Sequence, residues 1–206
     1  QMDIMVEFHS LWRLPMAQKI ARALKEFNTF WHEDAIRMDS LDLLKQYAKD
    51  CDALVCASET LAYKWGFKDY LQTGVAGVAM LDLSWCGGLS EARKIAAMAE
   101  AYDVGLALHC PLGPIALAAC LQLDAVCYNA VIQEQSLGIH YNKANDLTGY
   151  LTDPSVFDYA DGHVAIPSGP GLGVTVDEDA VKRGAAEGHR WRPPAWRNED
   201  GSFAEW

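Results

Sequence analysis

The chain has 206 residues, half of them apolar and 22% charged, with a formal net charge of −11. That length allows one large domain with a sizeable core. The acidic balance argues against a nucleic-acid or anionic-membrane partner, because phosphate binding needs a basic face. No apolar run approaches the roughly 20 residues that span a bilayer. The six cysteines form no CxxC pair, and several sit in apolar segments. They read as buried free thiols in a reducing compartment, so a cytoplasmic location is expected.

In chain order, short apolar runs alternate with amphipathic stretches. Asp3–Phe8 reads as a strand, and Pro15–Phe27 as a helix with proline near its start. Thr29–Glu33 is the next strand and Ser40–Asp50 the next helix. Ala53–Ser58 and Lys68–Thr73 repeat the pair, as do Val78–Leu83 and Ser90–Tyr102, where Ser90-Glu91 reads as a cap. Gly87-Gly88 between them reads as a tight strand–helix turn. Gly105–Cys110, the helix Gly113–Asp124 and the strand Val126–Ile132 complete the series. Strands this apolar suit a parallel sheet buried on both faces, joined by right-handed crossovers.

The polar residues at the strand ends are Glu7, Glu33, Glu59, Asp82, His109 and Glu134, at intervals of 26, 26, 23, 27 and 25 residues. That interval is one strand–helix unit. In a (β/α)8-type barrel the C-terminal strand ends converge on one mouth, which would gather all six around one cavity. A doubly wound sheet would spread them along an edge.

The periodicity stops near residue 135. Leu137–Tyr159 reads as mixed loop, Gly162–Pro167 as a short strand, and Ser168–Gly173 as a Gly/Pro-rich turn region. The tail from Trp191 to Trp206 holds three tryptophans and is too aromatic for a disordered linker. The division expected is residues 1–160 as the barrel part carrying the site, and residues 161–206 as a C-terminal segment that packs on another surface.

Three carboxylates on successive strands suit a hard divalent cation, magnesium above calcium or zinc. His9 lies two residues beyond Glu7, so in a continued strand it faces the same mouth. His109 stands across that mouth, and Asp82 could hydrogen-bond one of its ring nitrogens, raising its basicity. A cation flanked by two histidines fits removal of a proton next to a carboxylate, with an opposed acid assisting loss of a β-hydroxyl. Spacing alone leaves open which histidine is the base. Glu134 could hydrogen-bond the developing enediolate or be an ordinary strand-end acid. His32 alternates to the opposite face and reads as structural; His140, His163 and His189 lie outside the repeat.

These segments resemble the mandelate racemase subgroup of the enolase superfamily, and within it the sugar-acid dehydratases. The resemblance rests on Val6-Glu7-Phe8-His9, Trp31-His32-Glu33-Asp34, Ser58-Glu59-Thr60, Asp82-Leu83-Ser84 with Gly87-Gly88, His109-Cys110-Pro111-Leu112-Gly113-Pro114, Ile132-Gln133-Glu134-Gln135-Ser136 and the tail from Glu199 to Trp206. It implies a (β/α)7β barrel of which about six strands are present, with the C-terminal segment packing on an α+β cap that precedes the barrel in that family and is absent here.

It further implies magnesium bound by Glu7, Glu33 and Glu59, His109 as the base at C2, and Asp82 as its partner. His9 would be the acid that expels the 3-hydroxyl, and Glu134 would stabilise the enediolate. Glu7 departs from the family, where the first ligand is usually Asp. The expected activity is magnesium-dependent dehydration of an aldonate such as galactonate to a 2-keto-3-deoxy acid, by a homo-oligomer with a small-molecule substrate. A racemase, epimerase or cycloisomerase using the same enediolate, or an inactive fragment, are the alternatives.

Overall fold

A computed structural model describes residues 2–137, 148–187, 197 and 199–202. The tail residues Trp191, Trp196 and Trp206, with His140 and His189, lie outside the described residues.

Six parallel strands form one sheet in the order β1 to β6: Met5–Glu7, Trp31–Glu33, Leu54–Ala57, Val78–Ala79, Gly105–Leu108 and Ala130–Gln133. Helices α1 (Leu14–Leu24), α2 (Leu41–Ala48), α3 (Tyr63–Leu71), α4 (Leu89–Ala101) and α5 (Pro114–Asp124) alternate with them. Every strand therefore pairs with its sequence neighbours, which curls the sheet into a half-barrel with the helices outside. Glu7 pairs with Glu33 in register, so two acids stand side by side. Among the described residues, no helix is long and apolar enough to cross a membrane.

Two core clusters lie between sheet and helices. One joins Tyr47, Tyr70, Leu44, Leu71 and Val55; the other joins Phe67, Leu81, Ile95, Leu106, Leu108 and Leu117. Inside the curl, Trp31, Cys56, Val78, Met80 and Ala107 form a smaller cluster. The strands are shorter than their apolar runs because the ladder continues as single bonds. Met80 N–H donates to Ala57 O at 2.9 Å and His109 N–H to Leu81 O at 3.2 Å, and Asp82 bridges His109.

Several boundaries differ from the sequence expectation. Helix α3 starts at Tyr63 rather than Lys68, since Tyr63 N–H bonds Cys86 O and Phe67, Tyr70 and Leu71 supply a buried face. The cap of α4 is Gly88, at φ 79°, and not Ser90, which lies inside the helix. At Gly87, φ is 113° and a Cβ would meet the Tyr63 ring at 3.1 Å, so the glycine pair is the tight turn expected. Glu91 accepts from Lys64 N and from the Lys64 and Lys94 ammonium groups, tying α3 to α4.

Strand β6 begins at Ala130 rather than Val126. The chain first turns, with Cys127 N–H bonding Asp124 O and Ala130 N–H bonding Cys127 O, and Val126 and Tyr128 point to solvent. Asn129 then anchors the strand start on Ala96 O and Val104 O.

The strand expected at Gly162–Pro167 is absent. A single bridge joins Ala160 to His163 around Asp161 and Gly162, both at positive φ, which is a tight turn. Beyond residue 147, Leu151, Phe157, Val164, Leu172 and Val174 pack against the α4–α5 side of the core. Gln122 on α5 donates to Pro167 O at 2.6 Å. Helix α6 (Glu178–Glu187) follows, with no buried residue; the Asp177 carboxylate accepts from the N–H groups of Asp179 and Ala180.

Candidate metal and acid–base site

The strand ends converge as the repeat requires. Glu7, Glu33 and Glu59 each offer one carboxylate oxygen, and the three lie within 4.8 Å of one another. Glu33 is buried and its Oε1 has no hydrogen-bond partner. Burial, then the hydrogen bond and charge of Glu7, push the Glu33 carboxyl up to about 10. Burial likewise raises Glu59, against the pull of His109. Three acids so close cannot all ionise without a compensating charge. An all-oxygen donor set with a buried, unpartnered oxygen fits a hard divalent cation.

His109 ends β5 and links two acids. Its Nδ1 lies 2.8 Å from Asp82 Oδ2, and its Nε2 lies 3.0 Å from Glu59 Oε2. Burial opposes its charge, yet the Asp82 bond and the charges of Glu59 and Glu134 hold it up at about 9. Burial also works against the charge of Asp82, but the bonds from His109 and from Ser84 N–H outweigh it and hold that carboxyl below its usual range. Asp82 thus fixes the ring and leaves Nε2 aimed at the glutamates.

Glu134 follows β6 and accepts from Cys110 N–H at 2.6 Å. Burial raises its carboxyl despite that bond.

His9 reaches the mouth by a different route from the one strand alternation suggests. β1 ends at Glu7, and His9 and Ser10 both sit in the left-handed region at φ 55°. The His9 N–H bonds the Glu7 carboxylate. The turn places His9 in a cavity of about 550 Å³ with Ser10, Arg37, Asp39, Glu59 and Thr60. A second cavity, of about 310 Å³ inside the curl, is lined by Glu7, Glu33, Met80, Gln133 and Glu134 among others. The glutamates stand between the two.

His32 turns away from both cavities, as its alternation requires, and bonds Tyr47 Oη and Thr29 Oγ1. His163 is exposed and bonds Asp161 O. Arg37 lines the first cavity, and Asp34 and Ser58 lie buried between the strand ends; the sequence reading gave none of the three a role of its own. Asp34 and Ser58 owe their place to bonds between distant strand ends.

Residues 1–180 match the family described as enolase C-terminal domain-like. The chain belongs to that family. It is 45% identical over 204 residues to a D-galactonate dehydratase of Xanthomonas axonopodis pv. citri (strain 306), a match covering 99% of this chain and 53% of the relative. It is 42% identical over 201 residues to a D-galactonate dehydratase of Ralstonia pickettii (strain 12J), covering 98% of this chain and 53% of the relative. The chain therefore spans about half the length of the curated relatives it matches.

A crystal structure of an enolase of the mandelate racemase subgroup from Agrobacterium tumefaciens superposes with a TM-score of 0.80 at 47% identity. It covers 88% of this chain and 48% of that one. The half-barrel and its element order are those of this superfamily.

Asp82→Asn is expected to lower the basicity of His109. The amide offers Nδ1 no negative charge, so with His109 in the base role proposed below, turnover should fall on the order of 100-fold. The acid limb of the pH–rate profile should move to lower pH, because the ring loses a group that raises its pKa. A profile unmoved by the substitution would deny Asp82 that role.

Proposed function

We propose that the complete protein dehydrates a sugar acid, an aldonate such as galactonate, to a 2-keto-3-deoxy acid. The observation that carries this reading is the Asp82–His109–Glu59 chain set against three clustered glutamates. The D-galactonate dehydratases among the relatives support the substrate class.

Glu7, Glu33 and Glu59 would hold magnesium, which when bound supplies positive charge beside the substrate carboxylate and lowers the cost of charging C2. His109 Nε2 takes the C2 proton, and Asp82 stabilises the imidazolium that results. Glu134, its carboxyl raised by burial, donates a hydrogen bond to the enediolate oxygen. The electron pair of the C2–H bond first becomes the C1–C2 double bond of the enediolate; it then moves to C2–C3 as the C3–O bond breaks, and His9 protonates the departing hydroxyl to water. The enol then takes a proton at C3 and releases one from its C2 hydroxyl, leaving a ketone. Within that protein, residues 1–160 carry the site and residues 161–206 reach towards a cap. A cytoplasmic homo-oligomer is the setting we propose.

The test is a product assay of the complete protein across aldonic and aldaric acids with magnesium. A 2-keto-3-deoxy acid is the expected product. Formation of the C2 epimer alone would replace dehydration by racemisation, and no turnover of any acid would reject the enzyme reading.

A further inference from the structure

We infer that Asp34 is a positioning residue whose carboxylate ties the strand end bearing Glu33 to the one bearing Glu59, and so sets where the third glutamate stands. The inference rests on reading Glu7, Glu33 and Glu59 as a cation site.

Asp34 is 1% exposed. Its backbone O accepts from Ser10 N–H at 2.7 Å, and its own N–H donates to Cys56 O at 2.9 Å. Its Oδ1 accepts from Ser58 N–H at 3.2 Å. Ser58 Oγ accepts in turn from Met80 N–H at 3.2 Å. These bonds run across the ends of β1, β2, β3 and β4, through residues adjoining Glu33 and Glu59 in the chain.

The same level of the barrel is where the backbone is held in an unfavourable form. His9 (φ 55°), Ser10 (φ 55°), Asp34 (φ 36°) and Ser58 (φ 104°) all have positive φ, and none is glycine. Side-chain-bearing residues stay there only where surrounding contacts hold them. Ser58 is the sharpest case: it is fully buried and immediately precedes Glu59, whose carboxylate meets both the glutamate cluster and His109. The one side-chain acceptor on its N–H is Asp34 Oδ1. Without that bond the turn can relax, and a ligand displaced by a fraction of an ångström weakens a site whose geometry must be near-ideal for magnesium.

The experiment is calorimetric titration of magnesium into the complete protein and two variants. Asp34→Asn keeps the Oδ1 acceptor, so its affinity should stay within about threefold of wild type. Asp34→Ala removes it and should bind at least about tenfold more weakly, in line with the loss expected on removing such an outer partner. Wild-type affinity in Asp34→Ala would overturn the inference. Equal loss in both variants would also overturn it, because charge rather than the tie would then be what matters.

If the alanine variant does not fold, Asp34→Ser takes its place. Its hydroxyl can satisfy a water but is one bond too short to reach Ser58, and the same tenfold loss is expected. If wild type binds no divalent cation, the cation site itself is refuted. Amide exchange at Ser58 in the same variants then decides the tie: faster exchange in alanine or serine than in asparagine supports it, and equal rates reject it.

Discussion

Replacing His109 by asparagine is expected to abolish exchange of the substrate's C2 proton with solvent while leaving magnesium binding in place. The asparagine side chain can still reach Asp82 but carries no basic nitrogen where Nε2 stood, 3.0 Å from Glu59. A positioned general base contributes about 10²- to 10⁴-fold, so turnover should fall by at least about 1,000-fold. The readout is deuterium uptake at C2 in heavy water, followed by NMR, alongside product formation. Exchange at the parent rate would remove His109 as the base.

The second large effect concerns stability. In the cation-free protein Glu33 is held near 10 against 4.5 unfolded, and His109 near 9 against 6.5. Both folded values lie above the unfolded ones. Each group's stabilising contribution is therefore complete below its unfolded value and is lost as pH rises through its folded value. Asp82 runs the other way, but only around and below pH 3.8. Cation-free protein should accordingly lose stability steadily between about pH 5 and pH 9.

Magnesium binds the ionised carboxylates, so the shift it produces should grow with pH, reaching on the order of 5 °C at a hundredfold excess over Kd. Glu33→Gln removes the crowded acid. It should abolish the magnesium shift and, at pH 8, melt above cation-free wild type. Scanning calorimetry with and without magnesium at pH 6 and pH 8.5 reads all three effects. A magnesium shift retained in Glu33→Gln would show that the cation binds elsewhere.

Much of the half-barrel was legible because one physical period runs through it. A strand buried on both faces followed by an amphipathic helix takes about 25 residues, and six polar residues recur in phase with that unit. Parallel pairing in sequence order then brings Glu7 opposite Glu33 and Asp82 against His109. What escaped depends on contacts that no window along the chain contains. Val126 is apolar yet belongs to a turn, because Asn129 fixes the start of β6 by bonding two distant carbonyls. Tyr63 begins α3 because of a bond to Cys86.

His9 lies in a cavity with Glu59, but not by the route that strand alternation suggests. Alternation along a strand suggests it faces the mouth, whereas β1 has already ended and a left-handed turn puts it there. Asp34 reads locally as a second acid beside Glu33. Only the bonds to Ser10 and Ser58 show that it joins neighbouring strand ends. The Glu7 carboxylate accepts from the His9 N–H two residues on, which ties that turn to the glutamate cluster.

A cation held jointly by three successive strand ends is the centre of the proposed chemistry. The most direct test is a crystal of the complete protein grown with manganese in place of magnesium, with data collected at the manganese absorption edge. One strong anomalous peak is expected, within coordination distance of an oxygen from each of Glu7, Glu33 and Glu59. A peak elsewhere, or none with the three carboxylates well ordered, would contradict it.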